Sequence, residues 1–143
     1  MVEEIRIKIN GKEVIGKATQ NVLEVARENG FEIPALCYHP NLSVVGSCRL
    51  CAVEVKNMWG MQMACTLNLQ EGMEVTTESE KISQTRKSIL ELLLMKYHDG
   101  GYADGDRFET EFEHWLNRYQ ISRPSWGQSN PWTEKDSDPN PVV

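Results

Sequence analysis

The chain reads as an α+β protein with a mixed sheet and helices packed against it. Three stretches carry that expectation: a strand-turn-strand signature, a capped amphipathic segment directly after it, and a long helical stripe following several short apolar runs. In IRIKINGKEVIGKA, Ile5, Ile7 and Ile9 alternate with polar neighbours, and Val14 resumes the apolar face. Between them Asn10-Gly11 supplies a hairpin turn, because both residue types tolerate positive φ. NVLEVARENG then places Val22, Val25 and Ala26 at helical spacing, with Asn21 and Glu24 as a capping box and Gly30 as the stop. Pro34, Pro40 and Gly46 argue against regular structure in the next segment. CAVEV and MQMAC read as short strands around a turn at Asn57 to Gly60, and MEVTT as another. A helix from about Ser79 to Tyr97 carries Ile82, Ile89, Leu90, Leu93 and Leu94 on one broad face, with Ser79 as its cap.

A length of 143 residues suits one domain with a tail. The net charge of -6 offers no basic face for phosphates, which argues against nucleic acid and for a protein or redox partner. No run approaches the ~18 apolar residues of a spanning helix, and Met1-Val2-Glu3-Glu4 is unlike a basic leader, so no direct membrane insertion is expected. The expected location is cytoplasmic, including the cytoplasmic face of a membrane complex. From Tyr97 onward the composition shifts: eight of the eleven aromatic residues lie there, which marks the region as a distinct extension. Within it, residues 106 to 121 fit an amphipathic helix with Asp106 as cap and Phe108, Phe112, Trp115, Leu116 and Tyr119 along one side. Pro124 to Val143, with Trp126 and Trp132, has no periodicity and reads as an extended arm suited to a partner's groove. The expected division is therefore 1–97 for the body, 98–123 for a helical extension and 124–143 for the arm.

The chemistry concentrates in four cysteines spaced Cys37-x10-Cys48-x2-Cys51-x13-Cys65. Thiols in a reducing compartment are more often metal or catalytic sites than disulfides. A thioredoxin-like role needs the C-x2-C to open a helix, whereas GSCRLCAVEV runs from a loop into a strand. His39 in CYH suggests testing a Rieske centre, which fails because Cys48 and Cys51 leave too many thiols for two-histidine ligation. Structural zinc remains open, although zinc ribbons usually pair two short knuckles and only one is present. An iron-sulfur cluster with four cysteine ligands also fits: three ligands from one long loop and a fourth from a later strand is the plant-type arrangement in outline, with a longer first interval.

IPALCYHPNLSVVGSCRLCAVEV, followed by ACTLNLQEGMEVTTESEKISQTRKSILELLL, resembles a known family. This is the N-terminal 2Fe-2S ferredoxin-like domain of the large iron-sulfur subunit of complex I, of iron-only hydrogenases, and of counterparts in NAD-linked hydrogenases and formate dehydrogenases. The resemblance covers residues 3 to 96 and includes the cysteine spacings, the GMEV strand and the EK…R helix. It implies a β-grasp fold, a 2Fe-2S cluster, and Cys37, Cys48, Cys51 and Cys65 as its ligands. Many relatives continue with a histidine and three cysteines for a 4Fe-4S cluster; here MKYHDGGYADGDRFE offers His98 and no cysteine. The closing NPWTEKDSDPNPVV resembles the connector that precedes the next cluster domain in longer relatives.

Gly46 and Ser47 fit a loop whose amides approach cluster sulfurs, and Arg49 suits either charge compensation or solvent. His39 is expected to cap the loop, His98 and His114 to lie on the surface, and Asp99, Asp104 and Asp106 to form a solvated turn, since no EF-hand order is present. No catalytic triad, phosphate loop or dinucleotide fingerprint occurs, so substrate chemistry by this chain alone is not expected. The expected function is one-electron transfer, with flavin- or iron-sulfur-containing subunits of an NAD(P)-linked oxidoreductase as partners. The alternative is a zinc-stabilised interaction module.

Overall fold

The structure, a computed structural model, describes residues 3–96 and 110–122. His98, Asp99, Asp104, Asp106, Phe108, Trp126, Trp132 and the whole 124–143 arm lie outside the described residues. Strands β1 (Glu4–Ile9) and β2 (Lys12–Lys17) form the expected hairpin, with Ile7 opposite Val14. Its turn places Asn10 at φ 50° and Gly11 at φ 82°, the left-handed pair that a two-residue hairpin needs to match strand twist. Asn10 also donates from Nδ2 to Thr77 Oγ1 at 2.8 Å and accepts from the Thr77 amide at 2.9 Å, tying the turn to the end of the last strand.

Helix α1 (Val22–Glu28) follows, opened by the expected reciprocal cap between Asn21 and Glu24. After the long cysteine loop come β3 (Ala52–Val55), β4 (Gln62–Met63) and β5 (Glu74–Thr76), then helix α2 (Glu80–Lys96). The strand order is β2-β1-β5-β3-β4, with β1 parallel to β5 and every other neighbouring pair antiparallel. This is the mixed sheet expected, and its central parallel pair joined across the molecule is the β-grasp arrangement.

One face of the sheet buries α1: Val22, Leu23, Val25 and Ala26 pack on Ile7, Ile9, Val14, Val53 and Val75. Each such aliphatic side chain removed from water contributes roughly 1.5–3 kcal/mol. Gly16 permits the close approach, since a Cβ there would stand 2.4 Å from Leu69 Cδ1 and 2.6 Å from Val25 Cγ2. A second cluster joins Leu50 of the cysteine loop to Leu90 and Leu94 of α2 and to Trp115 and Leu116 of helix α3 (Glu111–Arg118).

Two sequence expectations change here. Among the described residues the C-terminal helix runs from Glu111, where Thr110 is held extended and forms a capping box with Glu113. It ends at Arg118 rather than residue 121, as Gln120 turns left-handed at φ 55°. On α2, Leu93 is exposed; the buried stripe is Ile82, Arg86, Leu90 and Leu94, with Ile89 half-buried. Ser79 caps α2 as expected, accepting from the Ile82 amide at 3.1 Å.

Candidate metal centre

The four cysteines occupy two different settings. Cys51 ends the loop at the start of β3, and Cys65 follows β4, so the β3–β4 ribbon brings them together. The Ala64 amide donates to the Cys51 carbonyl at 3.1 Å, one residue before Cys65. Helix α1 fixes the same strand from the other side, its first amides at Val22 and Leu23 donating to the carbonyls of Leu67 and Ala64. Those amides have no partner inside a helix, so the helix start satisfies them on the segment that carries Cys65. Both thiols are buried, at 1% and 2% exposure.

Cys37 and Cys48 sit in the loop and are half-exposed. The Cys48 amide donates to Cys37 Sγ at 3.4 Å. Partial burial works to raise the Cys37 thiol, but hydrogen bonds from Cys48 and Ser47 outweigh it and leave the thiol below its ordinary value. Burial pushes the Cys48 thiol up. The Cys65 thiol is pushed up to about 12, first by burial, then by its hydrogen bond to Cys51 and by the field of the other three cysteines. As free thiols Cys48 and Cys65 thus resist ionisation, and a bound cation relieves that resistance by taking thiolates as ligands.

The loop is pinned at several points. The Tyr38 phenol, next to Cys37, donates to Glu24 of α1, and Arg27 lies over its ring at 5.9 Å. His39 caps the loop, its Nδ1 accepting from the Asn41 amide at 3.2 Å. Gly46 is required twice over: it has φ +65°, and a Cβ would stand 2.9 Å from Thr66 Cγ2, beside Cys65. Arg49 also adopts a left-handed backbone, φ 60°, between the two C-x2-C thiols, and its side chain is exposed. Such a conformation costs about 1–2 kcal/mol for a residue with a Cβ.

These observations test the cofactor that the cysteines imply. Among the described residues, no three or more His, Cys, Asp or Glu side chains converge tightly enough to hold one metal ion. The thiols are instead associated two by two, Cys37 with Cys48 and Cys51 with Cys65, and the pairs sense one another electrostatically. A single zinc ion needs four ligands around one point, whereas a two-iron cluster takes two thiolates on each iron. With amides aimed at sulfur and a glycine-lined approach, the residues fit the larger group.

His114 is exposed and stacks edge-on to Trp115 at 5.1 Å. Sequence reasoning gave no role to Arg86, the arginine of the EK…R helix, which is fully buried and donates to the Ala52 carbonyl at 2.9 Å, directly after Cys51. The available signal was its place four residues from both Ile82 and Leu90, on the apolar stripe of α2.

The family model of the 2Fe-2S iron-sulfur cluster binding domain matches residues 2–80. The chain is 35% identical over 91 residues to the mitochondrial NADH-ubiquinone oxidoreductase 78 kDa subunit of Candida albicans, covering 64% of this chain and 13% of that protein. It is 36% identical over 93 residues to the NADPH-Fe(3+) oxidoreductase subunit alpha of Geobacter sulfurreducens, covering 65% of this chain and 11% of that one. Among solved structures it resembles a chain of an NAD+-reducing NiFe-hydrogenase in the H2-reduced state, with TM-score 0.73 and 27% identity over 83% of this chain and 50% of that chain. The match spans more than half of the sequence, and the chain belongs to the family of 2Fe-2S iron-sulfur cluster binding domains.

Proposed function

We propose that the chain transfers electrons one at a time as a component of an NAD(P)-linked oxidoreductase assembly, holding its 2Fe-2S cluster through Cys37, Cys48, Cys51 and Cys65. The observation that carries this reading is the two-by-two association of the four thiols at one end of the β3–β4 ribbon. When bound, the cluster supplies a one-electron couple. The chain's own residues do the rest. Cys51 and Cys65 anchor one side in the core and keep water from it. The Cys48 amide, and Ser47 beside it, direct hydrogen bonds to the Cys37 sulfur and stabilise its thiolate. On the other side Leu42, Val44 and Val45 are exposed next to the half-exposed pair, so an electron partner can approach there without displacing core packing.

The chain spans only 13% and 11% of the length of the two oxidoreductase subunits above. This reading assigns the nicotinamide chemistry to partner subunits. Flavin- or iron-sulfur-containing subunits have the matching one-electron chemistry. No helix among the described residues is long and apolar enough to cross a membrane, and all four cysteines are free thiols. We therefore assign the chain to the cytoplasm or to the cytoplasmic face of a membrane complex, where thiols stay reduced. Anaerobically purified protein should be red-brown with about two iron and two sulfide per chain, the composition of a 2Fe-2S centre. A colourless, zinc-loaded protein would end this reading in favour of an interaction module.

A further inference from the structure

We infer that Arg86 is a buried counter-charge to the iron-sulfur centre, a positioning residue that raises the cluster's reduction potential as well as clamping the strand that carries Cys51. The inference rests on the proposed ligand set. Arg86 is wholly buried on the inner stripe of α2, where Ile82, Leu90 and Leu94 are its helical neighbours. Its Nη2 donates to the Ala52 carbonyl at 2.9 Å and its Nη1 to the Tyr119 hydroxyl at 3.1 Å. Both partners are neutral. Among the described residues the one carboxylate near it is Glu78, 4.0 Å away and 62% exposed, and Nε has no hydrogen-bond partner. Arginine keeps its charge at every working pH, and a buried charge left without an opposite charge is strongly unfavourable.

The missing negative charge lies one residue away. Ala52 follows Cys51 directly, so with Cα atoms about 3.8 Å apart the guanidinium stands on the order of 10 Å from the Cys51 sulfur. A cluster held by four thiolates is net negative, and reduction adds one more negative charge. The attraction to Arg86 therefore grows on reduction. At ~10 Å and an effective dielectric of ~20, the gain favours the reduced form about tenfold, or about 59 mV for a one-electron couple.

The test uses the full chain, with iron and sulfide measured first. Wild type without a cluster would refute the ligand reading itself, independently of Arg86. In a dithionite titration Arg86→Gln, which can still donate to Ala52, should have a midpoint about tenfold more reluctant to reduce. Arg86→Lys should stay near wild type while unfolding at lower denaturant. An unchanged midpoint in cluster-loaded Arg86→Gln overturns the inference, as does an equal fall in Arg86→Lys at neutral pH. If Arg86→Gln fails to retain its cluster, the lysine variant decides. A buried ammonium loses its proton on raising the pH where a guanidinium does not. Its midpoint should then fall with pH relative to wild type, in which Glu78 and Tyr119 are the same neighbours. Parallel pH profiles would overturn the inference.

Discussion

The two thiol pairs have the same chemistry and opposite supports. Cys51 and Cys65 are buried at the end of a ribbon hydrogen-bonded to α1, so the fold positions them before any metal arrives. Cys37 and Cys48 are half-exposed in a loop held by Tyr38, His39 and the left-handed turn at Gly46. The difference teaches that one side of the centre is built by packing and the other by local hydrogen bonds. Electron exchange needs an approachable side, while cluster lifetime needs a protected one, and this division supplies both.

The sharpest way to break the comparison is to remove ligands one at a time. Cys51→Ser and Cys65→Ser should lose nearly all iron, since a serine oxygen is a poor match for iron and a buried strand cannot move to compensate. Cys48→Ser should also lose or severely destabilise the cluster, because it shares the C-x2-C turn with Cys51. Cys37→Ser should retain a labile fraction, because its loop has room to rearrange. Iron content and visible absorbance after desalting read this directly; equal retention in all four variants would erase the distinction.

Backbone fit comes next. Gly16→Ala places a methyl against Leu69 and Val25 beneath α1 and should destabilise by about 1–3 kcal/mol in denaturant unfolding, with a normal spectrum in the folded protein. Gly46→Ala should act differently. The added methyl meets Thr66 beside Cys65 in a left-handed turn, so cluster retention should suffer as well as stability. If both variants behave alike, the loop is not specialised for the cluster.

Protonation separates the pairs more gently. In the folded apoprotein the Cys65 thiol is raised from 9.0 to about 12. Between those values the unfolded chain binds fewer protons than the folded one, so apoprotein stability should be fully present below about 9 and fall as pH rises toward about 12. Cys37, lowered, works in the opposite sense below 9.0, with its contribution lost as pH falls. With cluster bound the sulfurs are thiolates throughout, and the alkaline fall should vanish. Unfolding midpoints of apo and loaded protein across this range test it, since lysines and tyrosines contribute to both. The smallest effect is expected from His39→Ala, which removes one exposed cap and should change stability by less than about 0.5 kcal/mol without altering the spectrum.

Much of this molecule is legible in its sequence where the signals are local. Asn10-Gly11, the Asn21/Glu24 cap and the alternation of Ile5, Ile7 and Ile9 are short-range patterns, and each element forms where they point. The four cysteines were visible from type and spacing alone. Their division into a buried and an exposed pair was not, because it depends on β4 returning beside β3 and on α1 capping that return. Arg86 was hidden for the same reason: a polar residue on an apolar stripe looks like a solvated interruption until the helix is placed against Ala52 and Tyr119. The end of the C-terminal helix was less legible, because nothing in the sequence between Arg118 and Ile121 marks the left-handed turn that Gln120 makes.

The central claim, an all-cysteine two-iron centre that moves single electrons, is tested most directly by a potentiometric titration of the anaerobic protein followed by electron paramagnetic resonance. A one-electron wave near the ~-400 mV of plant-type centres, with a signal that grows on reduction, is the predicted result. A midpoint above zero, a two-electron wave or no paramagnetic species on reduction would contradict it.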